Sequence, residues 1–271
     1  MNSKEKLRLA SLVLGKTREF GAQLVGLADL EALKMEPSAR VLPLVAEGVY
    51  QPPVSPYGLK PGEVKWPAGG KSVLVFAVPH PKQQPELDWW YGQINPPGNQ
   101  ILKDIADKVK DWLNEHYPTV EAHPLAYHVE RGGVFLKEAA RLAGLGCIGR
   151  NNLLVSGEFG PRIRLRAMIL SEKLPPTGPT SFDPCAVCEA PCLKVCPNGA
   201  FDRQILTPEA TGEKLLPARV GDYSRDKCAE IMLANEAEAE KKLVPDIADE
   251  PVEIIKYCRN CEFSCPLGGQ A

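Results

Sequence analysis

Apolar residues change their spacing along the chain, and each change predicts an element. In residues 4–20, Leu, Ala and Val recur at helical intervals among Lys, Arg and Glu, the pattern of an amphipathic helix. GAQLVGLADL (21–30) reads as a strand and its exit. KSVLVFAVPH (71–80) is a continuous apolar run, as expected of a strand buried on both faces. Ile101, Leu102, Ile105, Ala106, Val109, Trp112 and Leu113 line one helix face. EAHPLAYHV (121–129) predicts a strand. Val134, Leu136, Ala139, Ala140 and Ala143 predict a helix, with Lys137, Glu138 and Arg141 on its opposite side. Leu153 to Val155 predicts a strand, and RIRLRAMIL (162–170) alternates basic and apolar as a half-buried strand does. Residues 36–70 and 81–98 are rich in proline and glycine and predict irregular excursions; the second holds Trp89, Trp90 and Tyr91.

Between the last helix and strands lies AGLGCIGRNN (143–152), in which Gly144, Gly146 and Gly149 spell G-x-G-x-x-G. That spacing marks a dinucleotide site only when a strand feeds the first glycine and a helix starts at the last. Here the order is helix, loop, strand, so a Rossmann turn is not expected. Gly144 reads as the stop of the preceding helix, and the remaining glycines as a tight turn or a backbone that something approaches closely.

Composition then divides the chain. The stretch LPPTGPTSFDP (174–184) has four prolines in eleven residues and reads as a linker. Of nine cysteines, only Cys147 precedes it. The formal net charge of −2 favours neither nucleic acid nor an anionic membrane. No apolar run is long enough for a transmembrane helix, and the amphipathic start is not a signal peptide, so a cytoplasmic location is expected. In that compartment, cysteines read first as metal ligands or catalytic groups.

Their spacing is specific. CAVCEAPCLKVCP carries Cys185, Cys188, Cys192 and Cys196; Cys228 stands alone; CRNCEFSCP carries Cys258, Cys261 and Cys265. Eight thiolates suit two four-iron four-sulfur clusters. In two-cluster ferredoxins the cysteine before proline ligates the other cluster. Applied here, one cluster takes Cys185, Cys188, Cys192 and Cys265, and the other takes Cys196, Cys228, Cys258 and Cys261. The first run is one residue longer than the bacterial ferredoxin pattern, within Glu189-Ala190-Pro191. Two structural zinc sites or disulfides are the competing readings of the same count.

The segment AGLGCIGRNNLLVSGEFGPRIRLRAMIL, followed by a double-cluster module, resembles the family of epoxyqueuosine reductases and reductive dehalogenases. The resemblance runs from the glycine loop to the end of the chain, and more loosely through the opening helix and GAQLVGLADL. It implies a mixed α/β fold: a nitroreductase-like cobalamin-binding domain over residues 1–174 and a small ferredoxin-like domain over 175–271. It also implies cobalamin on the glycine loop. No D-x-H-x-x-G is present, so no protein histidine is expected on the cobalt. Gly144, Gly146, Cys147, Ile148, Gly149, Asn151, Leu154, Phe159, Gly160, Arg162 and Arg164 are carried over as its neighbours. Arg162, Arg164 and Arg166 read either as partners of an anionic nucleotide tail or as the solvated face of a strand. Cys147 lines the cobalt face or is a small buried thiol.

Epoxyqueuosine reductases carry an aspartate proton donor upstream of the glycine loop; the ungapped match here is Glu130. Tyr127 is the rival, because reductive dehalogenases use a tyrosine, and His128 reads as structural. Neither the helical-repeat extension and basic tract associated with tRNA nor a long export segment is recognised, so a short form is expected, without a nucleic-acid partner. The resemblance thus implies a cobalamin-dependent reductase of an unidentified small substrate, fed by an external donor such as ferredoxin or flavodoxin. Trp89–Tyr91 would cap its pocket or pack in the core. An alternative is an electron-transfer partner that reduces a corrinoid protein without turnover of its own. A plain two-cluster ferredoxin-like protein is a third reading.

Overall fold

The computed structural model describes residues 1–38, 41, 58–59, 63–125 and 133–268. Helix α1 (Ser3–Glu19) begins at a capping box: the Asn2 side chain accepts from the Glu5 amide and the Glu5 carboxylate accepts from the Asn2 amide. β1 (Leu24–Asp29) passes into α2 (Leu30–Lys34), which Asp29 caps through the Ala32 amide. Then come β2 (Ser72–Pro79), β3 (Trp90–Tyr91), α3 (Pro97–His116) and β4 (Ala122–Pro124). They are followed by α4 (Leu136–Leu142), β5 (Cys147–Ile148), β6 (Leu154–Val155) and β7 (Ile163–Leu170). The rest of the chain supplies α5 (Pro191–Lys194), α6 (Pro208–Thr211), α7 (Arg225–Ala237), β8 (Glu240–Lys242), β9 (Val252–Ile255) and α8 (Asn260–Phe263).

The main sheet has the order β1-β2-β7-β4, and every neighbouring pair is antiparallel. Helices cover both of its faces, which is why β2 is apolar after Ser72. Leu74, Phe76 and Val78 pack with Leu9 and Val13 of α1 and Leu102, Ile105 and Val109 of α3. Val73, Val75 and Ala77 point the other way, into a core with Ala139, Ala140 and Leu142 of α4. Complete burial of side chains of this size stabilises by roughly 1.5–3 kcal/mol each.

β7 departs from expectation. Its alternation predicts a solvated basic face, yet that face lies beneath the start of α3. There the Arg164 guanidinium donates to the Asn99 side chain at 2.7 Å and to Asp88. Arg162, just before the strand, is 4% exposed. The expected strand over 121–129 is described only as β4, and the excursion over 36–70 only in part.

Two links tie the cysteine-bearing segments to the sheet. β3, inside the second proline-rich excursion, pairs antiparallel with β9 through Trp90↔Ile255 and Tyr91↔Ile254. Within the proline-rich stretch, the Thr177 hydroxyl donates to the Ala143 carbonyl at 2.6 Å and accepts from the Leu27 amide at 2.9 Å. Among the described residues, no helix is long and apolar enough to cross a membrane.

Candidate functional site

The site grows from the end of α4. The Leu145 amide donates to Ala140 O at 2.9 Å and the Gly144 amide to Arg141 O at 3.0 Å, with Gly144 at φ +78°. This is a Schellman stop, which glycine adopts without strain. The chain then folds into the short β5–β6 ribbon. A Cβ on Gly146 would lie 2.2 Å from Val155 O, so only glycine permits this approach. One on Gly149 would lie 2.7 Å from the Val155 side chain and 2.8 Å from Asn151 Oδ1. All three glycines therefore answer contacts within the protein.

The turn and the start of β7 hold the last cysteine motif. Asn151 Nδ2 donates to Cys261 O at 3.2 Å, and Arg162 donates to Glu262 O at 3.2 Å and to Leu267 O. Gly160, at φ +57°, faces Leu267 O so closely that a Cβ would sit 2.3 Å from it.

The cysteines converge in two groups. Burial, together with the nearby Cys265, Cys185 and Cys188, pushes the Cys192 thiol up to about 11. Burial raises Cys265 as well, and Cys185 and Cys188 add to it. Cys261 is pushed up to about 12 by burial, Cys228 and Cys258, while Cys258 is raised by burial, Cys228 and Cys196. Cys185, Cys188, Cys192 and Cys265 thus share one neighbourhood and Cys196, Cys228, Cys258 and Cys261 another, and the two adjoin, since Cys192 also acts on Cys261. Thiols crowded this way disfavour common ionisation unless a cation joins them. Each set of four sulfurs is chemically suited to a four-iron cluster or to zinc. Cys147 is buried and hydrogen-bonded to Cys185, and the bond brings the Cys185 thiol down to about 6.

A cavity of about 970 Å³ lies between the turn and the cysteine-bearing segments. Ile148, Leu154, Pro161 and Ile163 give it apolar wall, and Trp90 borders it. Two groups that α4 was expected to turn away from the core also line it. Half-buried Lys137 donates to Asn152 O at 2.6 Å, and burial lowers its ammonium to about 8 against the pull of Glu138. Glu138 is 3% exposed, accepts from the Ser38 hydroxyl at 2.6 Å, and is pushed up to about 7 by burial and by Glu36. Sequence spacing gave no sign of either, because the Ser38 segment that covers Glu138 is remote in sequence.

A second group was likewise missed. His80 Nδ1 lies 2.5 Å from Asp88 and its Nε2 lies 3.4 Å from Glu262. Arg164 and Arg259 pair with Asp88, the latter at 2.6 Å, and Arg259 also pairs with Glu262. His80, Asp88 and Glu262 offer atoms close enough for a metal ion. Two guanidiniums already satisfy the carboxylates, so the trio is an ion network and not a cation site. It borders a smaller cavity of about 400 Å³ with Trp89 and Cys258.

Of the residues singled out as neighbours of a cofactor, Ile148, Leu154 and Arg164 line the large cavity. Asn151, Gly160 and Arg162 contact the last cysteine motif, while Phe159 belongs to the core. Tyr127, His128 and Glu130 lie outside the described residues.

No family model matches the chain. An epoxyqueuosine reductase of Bacillus anthracis is 31% identical over 101 residues, 37% of this chain and 25% of that protein. A tetrachloroethene reductive dehalogenase of Desulfitobacterium hafniense is 38% identical over 74 residues, 25% of this chain and 13% of that protein. The chain thus matches about a quarter or less of the length of these two relatives. The solved epoxyqueuosine reductase of Streptococcus thermophilus superposes with a TM-score of 0.64 at 18% identity, covering 97% of this chain and 67% of that one. Another epoxyqueuosine reductase, solved with an epoxyqueuosine-modified tRNA-Tyr stem loop, gives 0.58 at 17% identity, over 97% of this chain and 66% of that one. These likenesses establish a shared mixed α/β fold.

Proposed function

Since the chain is a relative of the epoxyqueuosine reductase and reductive dehalogenase family, we propose that it is a corrinoid-dependent iron–sulfur reductase. Two groups of four cysteines carry this reading, together with one large cavity that Ile148 and Asn152 of the glycine turn line on one side and Tyr257 and Glu262, next to Cys258 and Cys261 in sequence, line on the other. One four-iron cluster is assigned to Cys185, Cys188, Cys192 and Cys265, the other to Cys196, Cys228, Cys258 and Cys261. The first 174 residues form the nitroreductase-like, corrin-bearing domain of this reading, and residues 175–271 the ferredoxin-like one. When bound, the clusters supply one-electron transfer and the corrin supplies strongly reducing cobalt.

The remaining roles belong to the chain itself. Apolar Ile148, Leu154 and Ile163 exclude water from the cavity. Lys137 offers an ammonium beside the Asn152 carbonyl, suited to an oxygen-bearing substrate. Glu138 holds a proton at its carboxyl near neutral pH, in reach of the cavity that its side chain lines. Glu130 and Tyr127 remain the donors implied by family likeness.

The names of the relatives supply the substrate proposal: epoxyqueuosine, presented in a tRNA stem loop as in the solved neighbour. This replaces the expectation of no nucleic-acid partner, which rested on net charge and on sequence features alone. A ferredoxin or flavodoxin is the proposed electron donor.

Metal analysis of anaerobically isolated protein tests the reading. About eight irons per chain, with cobalt retained after added cobalamin, and loss of epoxyqueuosine from a modified stem loop under a strong reductant, are the expected results. About two zinc atoms per chain in place of iron would overturn it.

A further inference from the structure

Arg162 is buried, at 4% exposure, yet both of its recorded partners are neutral: the carbonyls of Glu262 and Leu267. Among the described residues, no carboxylate lies within ion-pair distance of it. Two other arginines near the cysteines differ. Arg219 pairs with Asp183 at 2.5 Å, and Arg259 pairs with Asp88 and Glu262. A buried guanidinium served only by carbonyls has its charge uncompensated, which is costly in a low-dielectric interior.

The site points to where the missing charge belongs. Leu267, whose carbonyl takes one of the two hydrogen bonds, lies two residues beyond Cys265. Glu262, whose carbonyl takes the other, lies three residues before Cys265, so the two bonds bracket that cysteine. Gly160 packs against the same Leu267 carbonyl with no room for a Cβ, and Asn151 holds the Cys261 carbonyl from the same side. The guanidinium is therefore fixed against the loop that carries Cys265 and cannot swing away to water.

We infer that Arg162 is the counter-cation of the cluster assigned to Cys185, Cys188, Cys192 and Cys265, and that it raises that cluster's reduction potential. The inference rests on the two-cluster reading above. A four-iron cluster with four thiolates is an anion in either oxidation state. On reduction it takes up one electron, with no bond made or broken, and gains one more negative charge. A fixed cation beside it favours the reduced form, because net charge and hydrogen bonding near a cluster set its potential. Arg162 is in this account a positioning and tuning residue. It is not a group that touches substrate.

Redox titration followed by electron paramagnetic resonance, on full-length anaerobically reconstituted protein, tests the role. In Arg162→Gln, the reduced fraction of one cluster at fixed potential falls about tenfold, ~59 mV for one electron. The second cluster stays within about twofold of wild type and serves as the internal control. Arg162→Lys keeps the charge and should keep the midpoint. Arg162→Gln with full iron and an unshifted midpoint overturns the inference. Should Arg162→Gln not hold its iron, Arg162→Lys decides. An ammonium replaces only part of the two-pronged carbonyl clamp, so a purely mechanical role predicts lost iron, which also overturns the inference. Full iron with a wild-type midpoint supports it. Wild-type protein that takes up no iron fails the cluster reading before any variant is compared, and the counter-ion role fails with it.

Discussion

Glu138 shows how one side chain changes meaning with its surroundings. Its carboxyl is pushed up to about 7 by burial, and Glu36 adds to this while the Ser38 hydrogen bond opposes it. In the unfolded chain the same carboxyl titrates near 4.5. Between these values the folded state holds a proton that the unfolded state has lost, so stability falls as pH rises from about 4.5 to about 7. The contribution is fully present below that window and lost above it, on the order of 3 kcal/mol. Glu138→Gln keeps an oxygen for Ser38 but cannot ionise. Thermal melts of the variant should be flatter than wild type between pH 5 and 7, and an unchanged slope would remove the basis for a proton held there. The window stops short of about 8, where Lys137 has lost half of its own charge.

At the scale of elements, the glycine turn joins α4 to the β5–β6 ribbon, and its glycines carry unequal demands. Gly144 needs the left-handed region, at φ +78°, and a Cβ there would meet the Thr177 carbonyl at 3.2 Å. Gly146 needs space, because its Cβ would be driven to 2.2 Å from backbone at Val155, which cannot turn aside. Gly144→Ala should cost about 1 kcal/mol from the turn geometry. Gly146→Ala should cost more, roughly 1–3 kcal/mol with the ribbon displaced, measured by denaturant unfolding. On the corrinoid-dependent function proposed above, Gly146→Ala should also weaken cobalamin uptake more than Gly144→Ala does, because the ribbon contributes Ile148 and Leu154 to the cavity wall.

For the molecule as a whole, the ion network is the connection to examine. Asp88 joins the end of β2 through His80, β7 through Arg164 and the last cysteine motif through Arg259. Burial alone would raise its carboxyl, but His80 and the two arginines hold it below its usual value. Asp88→Asn leaves two buried guanidiniums without their shared anion. It should destabilise by about 3–5 kcal/mol. Chemical unfolding read at Trp89, which shares the small cavity with this network, measures it. A loss under about 1 kcal/mol, as for a surface pair, would show that the network adds little to holding the segments together.

Several features were determined by the sequence itself, because they depend on local spacing. The faces of α1 and α3, the two-sided burial of β2 and the stop at Gly144 follow from periodicity and from glycine's conformational freedom. The apolar run of β2 after Ser72 needed no knowledge of what covers it, since a strand covered on one face alone would alternate with polar positions. Other features were decided by tertiary structure. Arg164 looks solvated in an alternating strand until α3 and Asp88, distant along the chain, close over it. Glu138 sits at an outward helical position until the Ser38 segment buries it. Trp90 and Tyr91 read as loop until β9 arrives to pair with them. In each case the deciding partner lies far along the chain, and its burial and charge alter the free energy of a side chain whose own neighbours in sequence carry no trace of it.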